Sequence, residues 1–207
     1  MNFWPKIHQL TGKNSRRKLC TARAPVLPGQ DSSQGLKETS KEVSVRIYFF
    51  DTSALQHRYL NAADSCGVRR IVSDERVLCY IADWTIVEMA STLARRCRQL
   101  SFSHQKFDRL ESRFFGVIAS GRLKVRTTST RDFTRARDLL RCAGIVKKRR
   151  LSSGDALIAA SCLDLAYQEK QRITFCTSDN PLHSILSDIT AFTSALHLKF
   201  FRPPIVP

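Results

Sequence analysis

The chain has 207 residues, of which 43% are hydrophobic, and a formal net charge of +16. This length and composition suit one folded domain of ordinary size with a tail. No apolar stretch approaches the roughly 18 residues that a membrane span needs. Residues 1–44 lack the apolar core of a secretory signal, so we expect a cytoplasmic protein without a membrane partner.

Residues 1–44 mix basic residues with Ser, Gln, Gly and Pro and show neither helical nor strand periodicity. They predict a basic, mostly disordered extension; alternatively, the natural start lies further along the chain. The next elements are predicted from hydrophobic periodicity. In chain order they are a buried strand at 45–50, a helix at 53–63, a buried strand at 77–82, and helices at 84–99 and 103–119.

The second half of the chain continues this alternation. In chain order we predict a short strand at 123–127, a basic amphipathic helix at 131–143, a largely apolar helix at 151–168, a strand at 172–177, a short helix at 182–187 and a strand at 195–201. Strands that alternate with helices predict an α/β fold around a mainly parallel sheet. The domain is expected to span residues 45–201, followed by a tail at 202–207.

The seven cysteines are scattered, odd in number and never spaced as C-x-x-C. This pattern argues against both a disulfide framework and a zinc site. The five histidines do not cluster with the cysteines. We therefore assign no metal ligand to Cys or His.

The excess of positive charge predicts a polyanionic partner, and nucleic acid is the commonest polyanion in a cell. Two basic runs are candidates for substrate binding, although either run alone is typical of a solvated surface. Their residues are Arg95, Arg96, Arg98, Lys147, Lys148, Arg149 and Arg150. We predict that the second run guides substrate, because it directly precedes the apolar helix that opens with an acid.

Four acids lie at or near the carboxyl end of a predicted strand or at the start of an adjoining helix: Asp51, Glu88, Asp155 and Asp179. In open α/β sheets, ligands bind at this edge. Clustered carboxylates repel one another unless a cation lies between them, and oxygen-only ligands favour Mg²⁺ or Mn²⁺. In a basic protein, such an ion indicates hydrolysis of a phosphodiester by a metal-activated water.

Each acid also has a structural interpretation. Asp51 could cap the following helix, and Thr85 and Glu88 have the spacing of a capping box. Asp155 in a first helical turn is favoured by about 0.3–1 kcal/mol through the helix dipole. If these interpretations were all correct, four acids would lie at the same edge of the sheet by coincidence. We therefore favour a shared site.

The turn that contains Asp179 has a local explanation of its own. We predict that Asn180 is the N-cap of the following helix and that Pro181 takes the first helical position. This assignment leaves Asp179 without a structural role.

The motifs YFFDTSAL at 48–55, IVE at 86–88, GDALIAA at 154–160 and TSD at 177–179 occur in the order seen in PIN-domain ribonucleases. The chain most closely resembles the VapC-like toxins of type II toxin–antitoxin modules, from about residue 45 to residue 201. The resemblance implies a three-layer α/β/α sandwich with a mainly parallel sheet of four or five strands. It also implies an acidic pocket that binds Mg²⁺ or Mn²⁺.

By this resemblance, the metal ligands are Asp51, Glu88 and Asp155, with Asp179 completing the site directly or through water. Ser53 matches the small hydroxyl residue that orients a ligand or a water and belongs to the catalytic set. Thr177 and Asn180 are weaker candidates for supporting roles.

The implied function is a metal-dependent endoribonuclease that leaves 5′-phosphate and 3′-hydroxyl ends. Its implied partners are RNA, a cognate antitoxin and a second copy of the chain. The N-terminal extension and the high charge depart from the family pattern.

Two other functions compete with this one. A non-catalytic RNA-binding or RNA-assembly protein on a PIN-like scaffold would be expected to lose one or more of the four acids. A phosphatase of the haloacid dehalogenase type would need a second Asp at position 53, where this chain has Ser53. We therefore rank the ribonuclease first.

Overall fold

This computed structural model describes residues 45–59, 65–101, 103–146 and 148–202. The predicted extension at 1–44 lies outside these ranges, as do the end of the predicted helix at 53–63, the tail after Arg202, and Lys147 of the second basic run. The domain limits therefore stay a prediction.

The strands in the described ranges form one five-stranded sheet in the order β3-β2-β1-β4-β5, and every neighbouring pair is parallel. The strands are β1 (Arg46–Phe50), β2 (Val77–Ala82), β3 (Lys124–Arg126), β4 (Ile173–Thr177) and β5 (Leu196–Phe200). The inner strands are rich in β-branched and aromatic residues, as expected where helices cover both faces of a parallel sheet.

Eight α-helices connect and cover the strands in the described ranges. They are α1 (Thr52–Leu55), α2 (Ser65–Ser73), α3 (Asp83–Gln99), α4 (His104–Ala119), α5 (Thr130–Arg141), α6 (Ser153–Glu169), α7 (Asn180–Ser187) and α8 (Thr190–Ala195). A 3₁₀ turn follows α1 at Gln56–Arg58, and a π-helical turn follows α5 at Cys142–Val146. None of these helices is both long and apolar enough to cross a membrane.

The core divides into two halves, one on each face of the sheet. Ile47 and Phe49 of β1 pack with α5–α8, whereas Phe50 packs with α1–α4 on the opposite face. This division follows from the alternation of side chains along a strand. Helix α6 is buried along most of its length, which explains its nearly continuous run of small and apolar residues. The predicted three-layer α/β/α sandwich is confirmed, and the sheet is parallel throughout.

The strand order reverses between β1 and β4. On one side of β1 lie β2 and β3, and on its other side lie β4 and β5. Such a reversal opens a crevice at the carboxyl ends of the two strands. The backbone N–H of Asp51 donates to the carbonyl of Cys176 at 2.9 Å, which continues the β1–β4 pairing past the end of β1. The residues that follow β1 and β4 therefore meet at this crevice.

A buried charge network joins the edge strand β3 to α5 and α6. Arg126 of β3 contacts Asp132 at 2.8 Å and Asp164 at 2.6 Å, and Arg135 contacts Asp164 at 2.5 Å. The side chains of Asp132 and Asp164 are 0% and 1% exposed. Gln168 also donates to Asp164 at 2.7 Å. Because these carboxylates are buried away from water, the ion pairs and hydrogen bonds from their partners must compensate their charge.

The structure differs from the predicted elements in three places. Helix α1 ends at Leu55, well short of the predicted helix at 53–63, because a 3₁₀ turn replaces it. Helix α2 was not predicted; of its apolar residues, Val68 and Val72 are buried, which is too short a pattern to identify a helix. Helix α8 was not predicted either, and it has one buried residue, Phe192.

Candidate active site

All four predicted acids line one cavity of about 380 Å³ at the carboxyl edge of the sheet. Asp51 follows β1, Glu88 lies in the second turn of α3, Asp155 lies in the first turn of α6, and Asp179 follows β4. The strand order accounts for this convergence, because β1 and β4 are neighbours and α3 and α6 begin at the same edge. The cavity is also lined by Thr52, Ser53, Gln56, Ser91, Thr92 and Arg95.

Asp51 is 1% exposed, and two hydroxyl groups hold its carboxylate. Ser53 Oγ donates to Asp51 Oδ2 at 2.5 Å, and Thr177 Oγ1 donates to the same oxygen at 2.9 Å. The other oxygen, Oδ1, accepts no hydrogen bond from the described residues. Asp51 occupies the N-cap position of α1, but the structure gives its side chain no capping hydrogen bond there. Its carboxylate is thus fixed through one oxygen while the other stays available.

Backbone groups fix the orientation of both hydroxyls. Ser53 Oγ accepts from the Ser178 N–H at 2.8 Å, and Thr177 Oγ1 accepts from the Asp179 N–H at 3.0 Å. A hydroxyl has one proton to donate, and both Ser53 and Thr177 donate it to Asp51. Ser53 was expected to orient a ligand or a water, and its hydrogen bond orients Asp51, one of the predicted metal ligands.

Glu88 is held by two donors that the sequence did not identify. Thr52 Oγ1 donates to Glu88 Oε2 at 2.6 Å, and Trp84 Nε1 donates to Glu88 Oε1 at 3.2 Å. The capping box between Thr85 and Glu88 is absent, because α3 begins at Asp83 and the Thr85 hydroxyl is buried without a partner among the described residues. A sequence signal for one donor existed, since Trp84 precedes Glu88 by one helical turn.

Asp155 and Asp179 each combine a capping contact with a position at the cavity. Ser152 is the N-cap of α6, and its hydroxyl donates to Asp155 Oδ2 at 2.6 Å. Asp179 accepts from the Leu182 N–H at 2.7 Å through Oδ1 and is the N-cap of α7. The prediction that Asn180 caps this helix, with Pro181 in the first helical position and Asp179 without a structural role, is therefore wrong. Asp and Asn are equally good caps, so composition could not distinguish the two neighbouring residues.

Burial and the charges of neighbouring acids raise the pKa of Asp51, Glu88 and Asp155. Burial, with repulsion from Asp155 and Glu88, raises the pKa of Asp51 to about 7. Burial and the charge of Asp155 also raise the pKa of Glu88. Burial and the charge of Asp179 raise the pKa of Asp155. Since no described basic side chain forms an ion pair with any of the four, the cavity carries uncompensated negative charge.

The raised pKa of the buried Asp51 predicts an unusual pH dependence for the stability of the metal-free protein. Burial raises the pKa of Asp51 from 3.8 to about 7, so the folded state holds a proton that the unfolded state releases. The Asp51 contribution to stability is therefore complete below pH 3.8 and is lost as the pH rises to about 7.

The Asp51→Asn variant removes this titration. In chelator, its free energy of unfolding relative to wild type should increase by about 2–3 kcal/mol between about pH 5 and about pH 8. Urea denaturation at both values measures the difference. A constant difference would mean that Asp51 titrates normally.

Glycine at position 154 permits the close approach of α3 to α6. A Cβ atom there would overlap the Glu88 carboxylate and would lie 2.8 Å from Trp84 Nε1. Gly154 directly precedes Asp155, so this contact brings the acid of α3 to the acid of α6. The GDALIAA motif contains this glycine, but only the packing of α3 against α6 shows why a side chain is not accommodated at this position.

We expect Gly154→Ala to damage the site more than the fold. The added methyl group must displace the Glu88 carboxylate, which should lower any metal-dependent activity by about 10- to 100-fold. The melting temperature should change little, because Ala favours helix by up to about 1 kcal/mol relative to Gly. Gly116→Ala in α4 is the matched control, since its Cβ would meet no atom within 4 Å. Equal activity in the two variants would contradict this role.

The predicted basic residues are distributed differently from the acids. Arg95 lines the acidic cavity, whereas Arg98 lines a second cavity between α3 and α4. Arg149 pairs with Asp188 at 3.1 Å, and Arg96 contacts Gln99 at 3.5 Å. Lys147 lies outside the described residues. Substrate guidance by the second basic run stays a prediction, and Arg95 is the predicted basic residue that the structure places at the cavity.

The cavity residues suit a hard divalent cation in their chemistry. The four acids offer oxygen ligands, which Mg²⁺ and Mn²⁺ prefer, and their mutual repulsion is the electrostatic condition that a cation relieves. As the side chains stand, no three Asp, Glu, His or Cys residues in the described ranges are grouped closely enough to hold a metal ion. Binding one ion would thus require the carboxylates to rotate toward a common point.

The fold and this cavity define a three-layer α/β protein with an acidic crevice at its switch point. Among solved structures, the VapBC2 complex of Rickettsia felis bound to a DNA fragment from its promoter matches with a TM-score of 0.52 and 16% identity, over 73% of this chain and 98% of the matched chain. The fold is therefore a VapC-like PIN-domain fold, as the motifs predicted.

Two further solved structures resemble the chain less closely. FitAcB from Neisseria gonorrhoeae matches with a TM-score of 0.49 and 18% identity over 73% of this chain and 96% of the matched chain. VapBC-5 from Mycobacterium tuberculosis matches with a TM-score of 0.45 and 15% identity over 75% of this chain and 98% of the matched chain. No protein-family model and no curated protein matched the sequence.

Proposed function

We propose that this protein is a metal-dependent endoribonuclease that hydrolyses RNA phosphodiester bonds. The observation that carries the proposal is the convergence of four carboxylates, from four separate elements, on one cavity at the switch point of a PIN-type fold. The net charge of +16 supports a nucleic-acid substrate, because it favours association with a polyanion. We expect this activity in the cytoplasm.

Asp51, Glu88 and Asp155 would hold Mg²⁺ or Mn²⁺, with Asp179 as a direct or water-mediated ligand. When bound, the ion would activate a water and stabilise the charge that develops on the phosphate. The chain's own contribution is to position these oxygens. Hydroxyl groups donate to one oxygen each of Asp51, Glu88 and Asp155, and the Trp84 indole donates to the second oxygen of Glu88. This support limits the rotations that the ligands can make.

The proposal is tested with purified protein and a labelled single-stranded RNA. We expect internal cleavage with Mn²⁺ or Mg²⁺, no cleavage in excess chelator, and recovery when the metal is restored. Asp138→Asn is a suitable control for the acid variants, since Asp138 is exposed on α5 and pairs with Arg137. Cleavage that persists in chelator would reject the mechanism.

We further propose that the protein acts as the toxin of a toxin–antitoxin pair. The support is the likeness of its fold to a structure of a VapBC2 complex from Rickettsia felis. Expression of the wild type alone should arrest growth, and co-expression of a neighbouring small reading frame should restore it. Asp51→Asn should be harmless in the same assay. The homodimer that the sequence resemblance implies stays a prediction, for which sedimentation is the direct measurement.

A further inference from the structure

Helix α3 presents four side chains in one line along the cavity. They are Trp84, Glu88, Ser91 and Arg95, whose spacings of four, three and four residues place them on the same helical face. The last three line the acidic cavity. Trp84 joins the line through its hydrogen bond to Glu88. An aromatic ring, an acid, a hydroxyl and a cation thus follow one another along the helix.

Trp84 is 41% exposed, and its one polar atom, Nε1, already forms a hydrogen bond within the protein. Its indole N–H donates to Glu88 Oε1 at 3.2 Å, and the edge of the ring lies against the position of Gly154 in α6. The ring is therefore held at the edge of the acidic cavity while part of its surface faces solvent. Bases of single-stranded nucleic acid stack on aromatic side chains placed in this way.

Arg95 lies at the other end of the line. Its side chain is exposed, lines the cavity, and forms no ion pair within the part of the chain that the structure describes. Along the helix axis, Trp84 lies about 6 Å before Glu88 and Arg95 about 10 Å after it, at about 1.5 Å per residue. An exposed aromatic ring and a cation thus flank Glu88 on opposite sides along the helix.

We propose that α3 is the track along which single-stranded RNA crosses the site. A base stacks on Trp84, the phosphodiester to be cut lies over Glu88 and its neighbouring acids, and a phosphate beyond it contacts Arg95. This inference rests on the proposed ribonuclease function and adds the residues that position its substrate. Trp84 is a positioning residue for Glu88 as well as a base contact.

Intrinsic fluorescence tests the stacking contact, because the chain has two tryptophans, Trp4 and Trp84. In a Trp4→Phe background with chelator present, a short oligoadenylate should quench the emission of Trp84. Trp84→Leu should raise the Kd for this RNA by roughly tenfold, within the range known for base–aromatic stacking. Phe133→Leu is the matched control, since Phe133 is an exposed aromatic residue on α5.

Trp84→Phe separates the two roles of the indole. The variant keeps an aromatic ring but loses the donor to Glu88, so RNA binding should stay close to that of wild type while kcat falls. If Trp84 had only a structural role, its replacement by Phe would not lower kcat while leaving the affinity for RNA unchanged. Equal emission with and without saturating RNA, or wild-type affinity in Trp84→Leu, would overturn the stacking contact. An emission change with a protein partner but not with RNA would assign Trp84 to a protein interface and would overturn it too.

The salt dependence of binding tests Arg95. Arg95→Gln should reduce the log–log salt slope by about 0.7, the value for one phosphate on a single strand. Arg109→Gln removes the same charge from an exposed position on α4 that does not line the acidic cavity, so its slope should stay close to that of wild type. An equal decrease of the salt slope in both variants would mean that Arg95 attracts RNA only through the general positive charge of the protein, and it would overturn the phosphate contact.

The two proposals fail in distinguishable ways. RNA that quenches Trp84 but is never cleaved with Mn²⁺ would reject the ribonuclease function and retain the track as a binding surface. RNA that is cleaved with no dependence on Trp84 or Arg95 would retain the function and reject the track.

Discussion

Asp51→Asn should reduce RNA cleavage by at least about 100-fold while the protein stays folded. Residues that merely support metal ligands typically contribute 10- to 100-fold, and Asp51 is proposed as a ligand itself. The amide keeps an oxygen that can accept from Ser53 and Thr177, so the two hydrogen bonds that fix Asp51 can form again. The loss therefore reflects the missing charge rather than a lost fold.

Three measurements on the same preparation separate these effects. Cleavage rates give the loss of activity, circular dichroism gives the fold, and melting curves with and without Mn²⁺ give the metal response. Wild type should gain melting temperature with Mn²⁺, since a ligand of the folded state stabilises it by mass action. Asp51→Asn should lose most of this gain. Wild-type cleavage by the variant would remove Asp51 from the mechanism.

Asp164→Ala should reduce the free energy of unfolding by about 3–5 kcal/mol, because it breaks two ion pairs of a buried network and leaves Arg126 with Asp132 as its remaining acidic partner. Arg126, whose side chain is 9% exposed, contacts Asp164 at 2.6 Å, and Arg135 contacts it at 2.5 Å. Removing Asp164 breaks contacts to both β3 and α5. This network lies away from the acidic cavity, so its loss should act through stability.

Urea denaturation measures the cost of the Asp164 variant. Asp138→Ala is the matched control, because the Arg137–Asp138 pair has side chains that are 66% and 59% exposed and should contribute little. At a temperature where Asp164→Ala is still folded, its cleavage rate should remain close to that of wild type. Similar stability in the two variants would show that the buried network is dispensable.

The fold was largely predictable because the relevant signals are local. The runs that became β1, β2 and β4 are short, apolar and rich in β-branched and aromatic residues, and α6 has an apolar pattern longer than any strand. Helices α2 and α8 were missed because each buries few apolar side chains. Strand order was not predictable from these patterns, since it is set by contacts between distant parts of the chain.

The acids of the site were predictable for a similar reason, and their supports were not. Each acid follows a strand or lies in the first two turns of a helix that starts at the carboxyl edge, and a parallel sheet brings such positions to one edge. The donors to Glu88 come from Thr52 and Trp84, residue types that are common in any fold. The buried partner of Asp164 in β3 lies 38 residues away in sequence, so the apolar pattern of α6 gave no sign of it.

The four acids are proposed to form one metal site. Anomalous diffraction from a crystal grown with Mn²⁺ locates the ion directly. We expect a Mn²⁺ peak in the cavity, with carboxylate oxygens of Asp51 and at least one of Glu88 and Asp155 at about 2.1 Å. A crystal with no Mn²⁺ peak in this cavity, at a Mn²⁺ concentration that supports cleavage, would contradict the claim.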